Sequence, residues 1–168
     1  LREVPGDWEM DSVEGKKGTP EALLVMTERK TRSEIMVRME RKTTACVVAA
    51  LDALEMEMGP QLFRRIFRSI TVDNGSEFAD CEGMERSCIT GKRRTQLYYC
   101  HPRCPGERGS NEKQNQMIRW HFPKGTDFGR VTAEQVRLVQ DWLNNYPRKI
   151  LNWRTSAEVF QELLASVG

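Results

Sequence analysis

Three β-favourable segments in immediate succession, then an amphipathic helix, then strands alternating with helices: this order constrains the fold more than any other feature of the chain. Asp7 to Glu14 alternates at the period of a strand, with Trp8 and Met10 on one face and Glu9, Asp11 and Val13 on the other. Gly15 to Pro20 reads as a turn. Ala22 to Thr27 is a short continuous apolar run, separated by the basic stretch Arg29 to Arg32 from a further β-favourable segment, Ser33 to Met39. Val47, Leu51, Leu54 and Met58 then recur at helical spacing, with Thr43 or Thr44 placed to cap the helix and Gly59-Pro60 to stop it. Ser69 to Val72 predicts a fourth strand ending at Asp73-Asn74-Gly75, where Asn-Gly favours a tight turn. Ser76 is expected to cap a helix running through Met84, and Gln96 to Tyr99 predicts a fifth strand that the Pro- and Gly-rich stretch Pro102 to Gly109 cannot continue. A helix is expected from near Ser110 to about Trp120, and capping boxes at Thr132/Gln135 and Thr155/Glu158 open two more. Such an order implies an α/β architecture, a mixed five-stranded sheet flanked by helices. A length of 168 residues suits one domain spanning the whole chain, with one sizeable core.

Other function classes fall away on composition. No apolar run approaches the roughly 20 residues needed to span a bilayer, and the amino terminus lacks the basic-then-apolar pattern of a signal peptide. Without a starting Met, the chain reads as a piece of a longer protein. Five cysteines cannot all pair within one chain, so a reducing cytoplasmic setting is expected. The net charge of +2 hides a division: Leu1 to Glu28 holds three basic and seven acidic residues, whereas Arg86 to Arg130 holds ten basic and three acidic. An acidic pocket beside a basic stretch suits a metal-dependent enzyme acting on a polyanion, although solvated charged faces on an ordinary domain give the same totals.

Asp11 on the first strand and Asp73 at the end of the fourth occupy positions where an α/β sheet commonly presents functional groups, and Glu112 opens the helix after the Gly-rich loop. Three carboxylates brought together would repel one another unless a cation joined them. Magnesium takes hard oxygen ligands, few of them from protein. Glu9 shares the face of Asp11, but a salt-bridged strand residue is the simpler reading. Cys100-His101-x-x-Cys104 lacks the matching second pair of a structural zinc site. Asn111, Asn115 and Arg119 recur on one helical face bordered by Glu112. On a bare helix that face would simply be solvated, but beside three acids Asn115 and Arg119 could hydrogen-bond phosphate oxygens. Trp8, Trp142 and Trp153 read as core aromatics and Trp120 as either core or base-stacking platform. Val136, Val139 and Leu143 are core at helical spacing.

Three phrases carry a family resemblance. Gly6-Asp7-Trp8-Glu9-Met10-Asp11, Thr71-Val72-Asp73-Asn74-Gly75-Ser76-Glu77-Phe78 and Glu107-Arg108-Gly109-Ser110-Asn111-Glu112 resemble the acidic motifs of bacterial DDE-type insertion-sequence transposases of the IS-thirty type. The likeness continues through Arg119 to Phe128 and Leu143 to Phe160, and so spans nearly the whole chain. It implies a ribonuclease-H-like integrase core whose metal-binding triad is Asp11, Asp73 and Glu112, with 38 residues between the last two. It also implies dependence on Mg²⁺, with Mn²⁺ able to substitute. The implied reaction is hydrolysis at a transposon end followed by attack of the freed 3′-hydroxyl on target DNA. Implied partners are transposon-end and target DNA and further copies of the chain, in a bacterial, nucleoid-associated setting. Arg108, Asn111, Lys113, Asn115, Arg119 and Lys124 become candidate DNA contacts. The family's amino-terminal helix-turn-helix region has no counterpart in these residues. Two other classes stay open: a nuclease or resolvase of the same fold that hydrolyses without joining, and a DNA-binding module without catalysis.

Overall fold

The computed structural model describes residues 4–100 and 109–167, the side chains of 109–112 and 167 excepted. Strands β1 (Asp7–Glu14), β2 (Ala22–Glu28) and β3 (Glu34–Met39) form an antiparallel meander. Helices α1 (Thr44–Met58) and α2 (Pro60–Ile66) carry the chain back to β4 (Ser69–Val72), and α3 (Cys81–Glu85) precedes β5 (Gln96–Tyr99). Three helices follow, α4 (Gly109–His121), α5 (Ala133–Asn144) and α6 (Ser156–Val167). The sheet order is β3-β2-β1-β4-β5, with β4 parallel to β1 and β5 parallel to β4. This is the mixed five-stranded sheet expected from the element order.

Every residue of β2 is buried because both sheet faces are covered. On one face Trp8, Met10, Leu24, Met26, Ile70 and Val72 pack against Val47 and Leu51 of α1, Phe63 of α2 and the adjoining Phe67. On the other, Val13, Leu23, Val25 and Met36 pack against Met117 and Ile118 of α4, Phe122, Phe128, and Val136 and Leu143 of α5. Trp8 and Met10 of β1 thus serve one core and Val13 the other, with Asp11 on the side of Val13 bonded to Asn115 of α4. The start of β1 is pinned by the buried Glu28 carboxylate, which accepts hydrogen bonds from Gly6 N at 3.0 Å and Thr31 Oγ1 at 2.7 Å. Trp8 Nε1 adds a bond to Ile66 O at 2.9 Å.

Gly59-Pro60 ends α1 as expected, and Pro60 also starts a helix that was not expected: Gly59 takes φ 83°, and the fixed ring of Pro60 suits the first turn of α2. Other local expectations need correction. Ser76 opens only a short 3-10 turn, Ser76–Phe78, and it is Asp80 that caps α3 through Gly83 N. Trp8 is fully buried, but Trp142 and Trp153 are 38% and 68% exposed and are not core. Trp142 and the more exposed Trp120 meet edge to face at 6.2 Å on the α4–α5 surface. The caps at Thr43, Thr132 and Thr155 form as read, the latter two as reciprocal boxes.

A polar layer lies buried beneath α5. Glu34 accepts from Thr27 Oγ1 at 3.0 Å, and burial holds its carboxyl well above the usual range despite the nearby Arg148 guanidinium. Arg148 donates to Ser156 Oγ and Leu143 O, which fastens the start of α6 to the end of α5.

Candidate active site

Pairing between β1 and β4 runs through Asp7↔Ser69, Trp8↔Ile70 and Glu9↔Thr71 and then stops, although β1 continues to Glu14. The two strands therefore part just beyond this point, at the carboxyl end of β4, where open α/β sheets present ligand-binding groups. The same register continued two residues further sets Asp11 opposite Asp73. In a parallel pair, residues level with each other share a face, and neighbouring strands lie about 4.8 Å apart. Asp11 lies on the α4 side of the sheet, where Asn115 reaches it, and Asp73 directly follows the last residue of β4. Each is half-buried.

Local bonds orient both carboxylates. Asp11 Oδ1 accepts from Ser12 N at 2.9 Å, and Asp11 Oδ2 accepts from Asn115 Nδ2 of α4 at 3.3 Å. Asp73 Oδ1 accepts from Gly75 N at 2.8 Å, the Asx turn that the Asn-Gly sequence favours. Side chains that sequence reasoning did not single out surround this pair. Glu77 is 4% exposed and accepts from Ser12 Oγ at 2.7 Å. Lys42 lies 2.8 Å from Glu14 and 3.7 Å from Glu77. Its ammonium is held above the ordinary lysine range, chiefly by the hydrogen bond to Glu14, with the charges of Glu77, Glu14 and Asp73 adding to it. Glu77 belongs to the second acidic phrase, four residues after Asp73, and that spacing was the available signal. Lys42 had none, because only the fold brings the start of α1 to the end of β4.

The remaining candidates divide. Gly109–His121 is helical, so position 112 lies in the first turn of α4, one turn before Asn115. The side chains of Asn111 and Glu112, and Arg108 as a whole, lie outside the described residues. Among those described, no three His, Cys, Asp or Glu side chains are arranged to hold a metal ion. The half-buried carboxylates of Asp11 and Asp73 are nonetheless hard oxygen donors of the kind that suits magnesium, and the buried Glu77 lies beside the same segments. Glu9 is fully buried and paired with Arg29 at 3.4 Å, in keeping with the salt-bridge reading. Arg119 donates to Glu14 O at 3.0 Å and tethers α4 to the end of β1. Lys113 and Lys124 are exposed. Within the basic stretch, Arg94 is turned inward and pairs with Asp52 at 2.7 Å and Glu55 at 3.2 Å.

Comparison with known proteins supplies relatives for this arrangement. The chain is 34% identical over 166 residues to the transposase for insertion sequence element IS1086 of Cupriavidus metallidurans, covering 98% of this chain and 46% of that protein. It is 36% identical over 166 residues to the transposase for IS4351 of Bacteroides fragilis, covering 98% and 47%. To the transposase InsI for IS30A of Escherichia coli it is 36% identical over 160 residues, covering 95% and 39%. The chain thus spans a little under half the length of these relatives. No protein-family model matches it. Among solved structures, a chain of the simian T-cell lymphotropic virus intasome in complex with PP2A regulatory subunit B56 gamma superposes with a TM-score of 0.65 at 16% identity. That match covers 92% of this chain and 54% of that one, and it shows a shared integrase-like, ribonuclease-H-like fold.

Proposed function

Since the chain belongs to the family of insertion-sequence transposases that includes those of IS30, IS1086 and IS4351, we propose that it is the catalytic core of such an enzyme and cuts and rejoins DNA strands. The observation that supports this reading is the parallel pairing of β1 with β4, which ends two residues before Asp11 and Asp73, with Asn115 of α4 bonded to Asp11. Asp11, Asp73 and Glu112 would hold Mg²⁺ or Mn²⁺, which when bound would activate the attacking oxygen and stabilise the leaving oxygen at phosphorus.

The chain's own residues do the rest. Ser12 N and Gly75 N hold one oxygen of each aspartate, which fixes the carboxylate planes before DNA arrives. Asn115 ties α4 to Asp11 and so sets the distance from that helix to the strand. Lys42 tempers the repulsion among the acids around it. Lys113 and Lys124 are exposed cations suited to DNA phosphates, so binding should weaken steeply with salt. The active form would assemble several copies on transposon-end and target DNA.

Incubation of the protein with a pre-cleaved transposon end, a target plasmid and Mg²⁺ tests this reading. Covalent joining of the 3′ end to the plasmid is the expected product. Nicking without joining would identify a nuclease, and retention of DNA without either reaction would identify a binding module.

A further inference from the structure

We propose that Glu77 and Ser12 form a positioning pair that sets the spacing between Asp11 and Asp73. The proposal rests on the reading of those two aspartates as metal-holding residues. A carboxylate that is 4% exposed must be satisfied by specific partners, because burying an unpaired charge is costly. The partners of Glu77 come from the segments that matter. Ser12 touches both acids at once: its main-chain N–H donates to Asp11 Oδ1 at 2.9 Å, and its hydroxyl donates to Glu77 Oε1 at 2.7 Å. On the far side, Glu77 Oε2 and Asp73 Oδ1 lie only 2.5 and 2.9 Å from where a Cβ on Gly75 would sit. Gly75 is the residue whose N–H fixes Asp73 Oδ1. Glu77 thus bonds to the residue after Asp11 and lies close against Gly75, whose N–H holds Asp73, just beyond the last pair of the β1–β4 ladder.

Neutralising Lys42 does not explain this placement. The nearer partner of Lys42 is Glu14, at 2.8 Å against 3.7 Å for Glu77. Glu77 is also held by a neutral donor, Ser12, which a counter-ion for lysine would not need.

Because outer partners of metal-holding side chains change metal affinity by about 10- to 100-fold when removed, the effect should be read on metal binding. Ser12→Ala, Glu77→Gln and Glu77→Ala would be compared with the unaltered chain and with Asp73→Asn. The readouts are Mn²⁺ binding followed by water-proton relaxation, the Mn²⁺ concentration for half-maximal joining, the thermal midpoint and DNA affinity. Ser12→Ala and Glu77→Ala should each raise the half-saturating Mn²⁺ about 10-fold in both metal readouts, with DNA affinity unchanged. Glu77→Gln keeps an oxygen for the Ser12 hydroxyl and should show the smaller shift. Unchanged Mn²⁺ dependence in folded Ser12→Ala and Glu77→Ala, with Asp73→Asn inactive, would overturn the positioning role alone. Unchanged Mn²⁺ binding and joining in Asp73→Asn as well would overturn the functional reading beneath it. If Glu77→Ala does not fold, Ser12→Ala decides, since it removes one half-buried hydroxyl and leaves the carboxylate in place.

Discussion

Asp73→Asn should abolish both cleavage and joining, by at least about 1,000-fold, which corresponds to about 4 kcal/mol of transition-state stabilisation. The amide retains an oxygen to accept from Gly75 N, so the turn after β4 survives and the thermal midpoint should move little. What is lost is the charge. Beside Asp11 and the buried Glu77, that charge is repulsive in the free protein and useful only once a cation is held. DNA affinity should therefore stay level or rise, because one negative group facing the phosphates is gone. A folded Asp73→Asn protein that still cleaved would remove Asp73 from the site.

Glu112→Gln should be equally damaging to both reactions at saturating Mg²⁺, whereas Glu107→Gln should retain measurable amounts of both. Position 112 lies within α4, one turn before Asn115, whose side chain reaches Asp11 at 3.3 Å. Helical backbone holds its side chains in fixed directions, and coordination of a small cation demands such fixity. Glu107 lies outside the described residues, and its place between Gly106 and Gly109 reads as loop. The comparison is made on joining of a pre-cleaved end, with circular dichroism confirming that both variants fold. The reverse pattern would mean that the third carboxylate has been assigned to the wrong residue.

The strands were legible because their signals are local. Alternation in Asp7–Glu14 separates Trp8 and Met10 from Glu9 and Asp11, and the two sets do face different layers. Asp11 and Asp73 were proposed as a pair only through the joint order of the three acidic phrases. The structure adds the parallel ladder of β1 and β4, which ends two residues before each of them. Glu77, Ser12 and Lys42 were not legible as a group, because their contacts join residues 65 and 35 positions apart and no periodicity reports such pairing. Local rules also fell short at two places. Gly59-Pro60 does end α1, but the helix that Pro60 opens was not read, and Ser76 was read as a cap although Asp80 takes that part four residues later. Hydrophobic character alone placed Trp142 and Trp153 in the core, yet both lie on the surface, where Trp142 packs against Trp120, His121 and Tyr146.

The most direct measurement is a crystal structure of the protein with a transposon-end DNA and Mn²⁺, with anomalous scattering used to locate the metal. The prediction is an anomalous peak between Asp11 and Asp73, with carboxylate oxygens of both at about 2.1 Å and an oxygen of Glu112 on the same centre or its neighbour. An active complex with no peak at those aspartates, or with its metal held elsewhere, would contradict it.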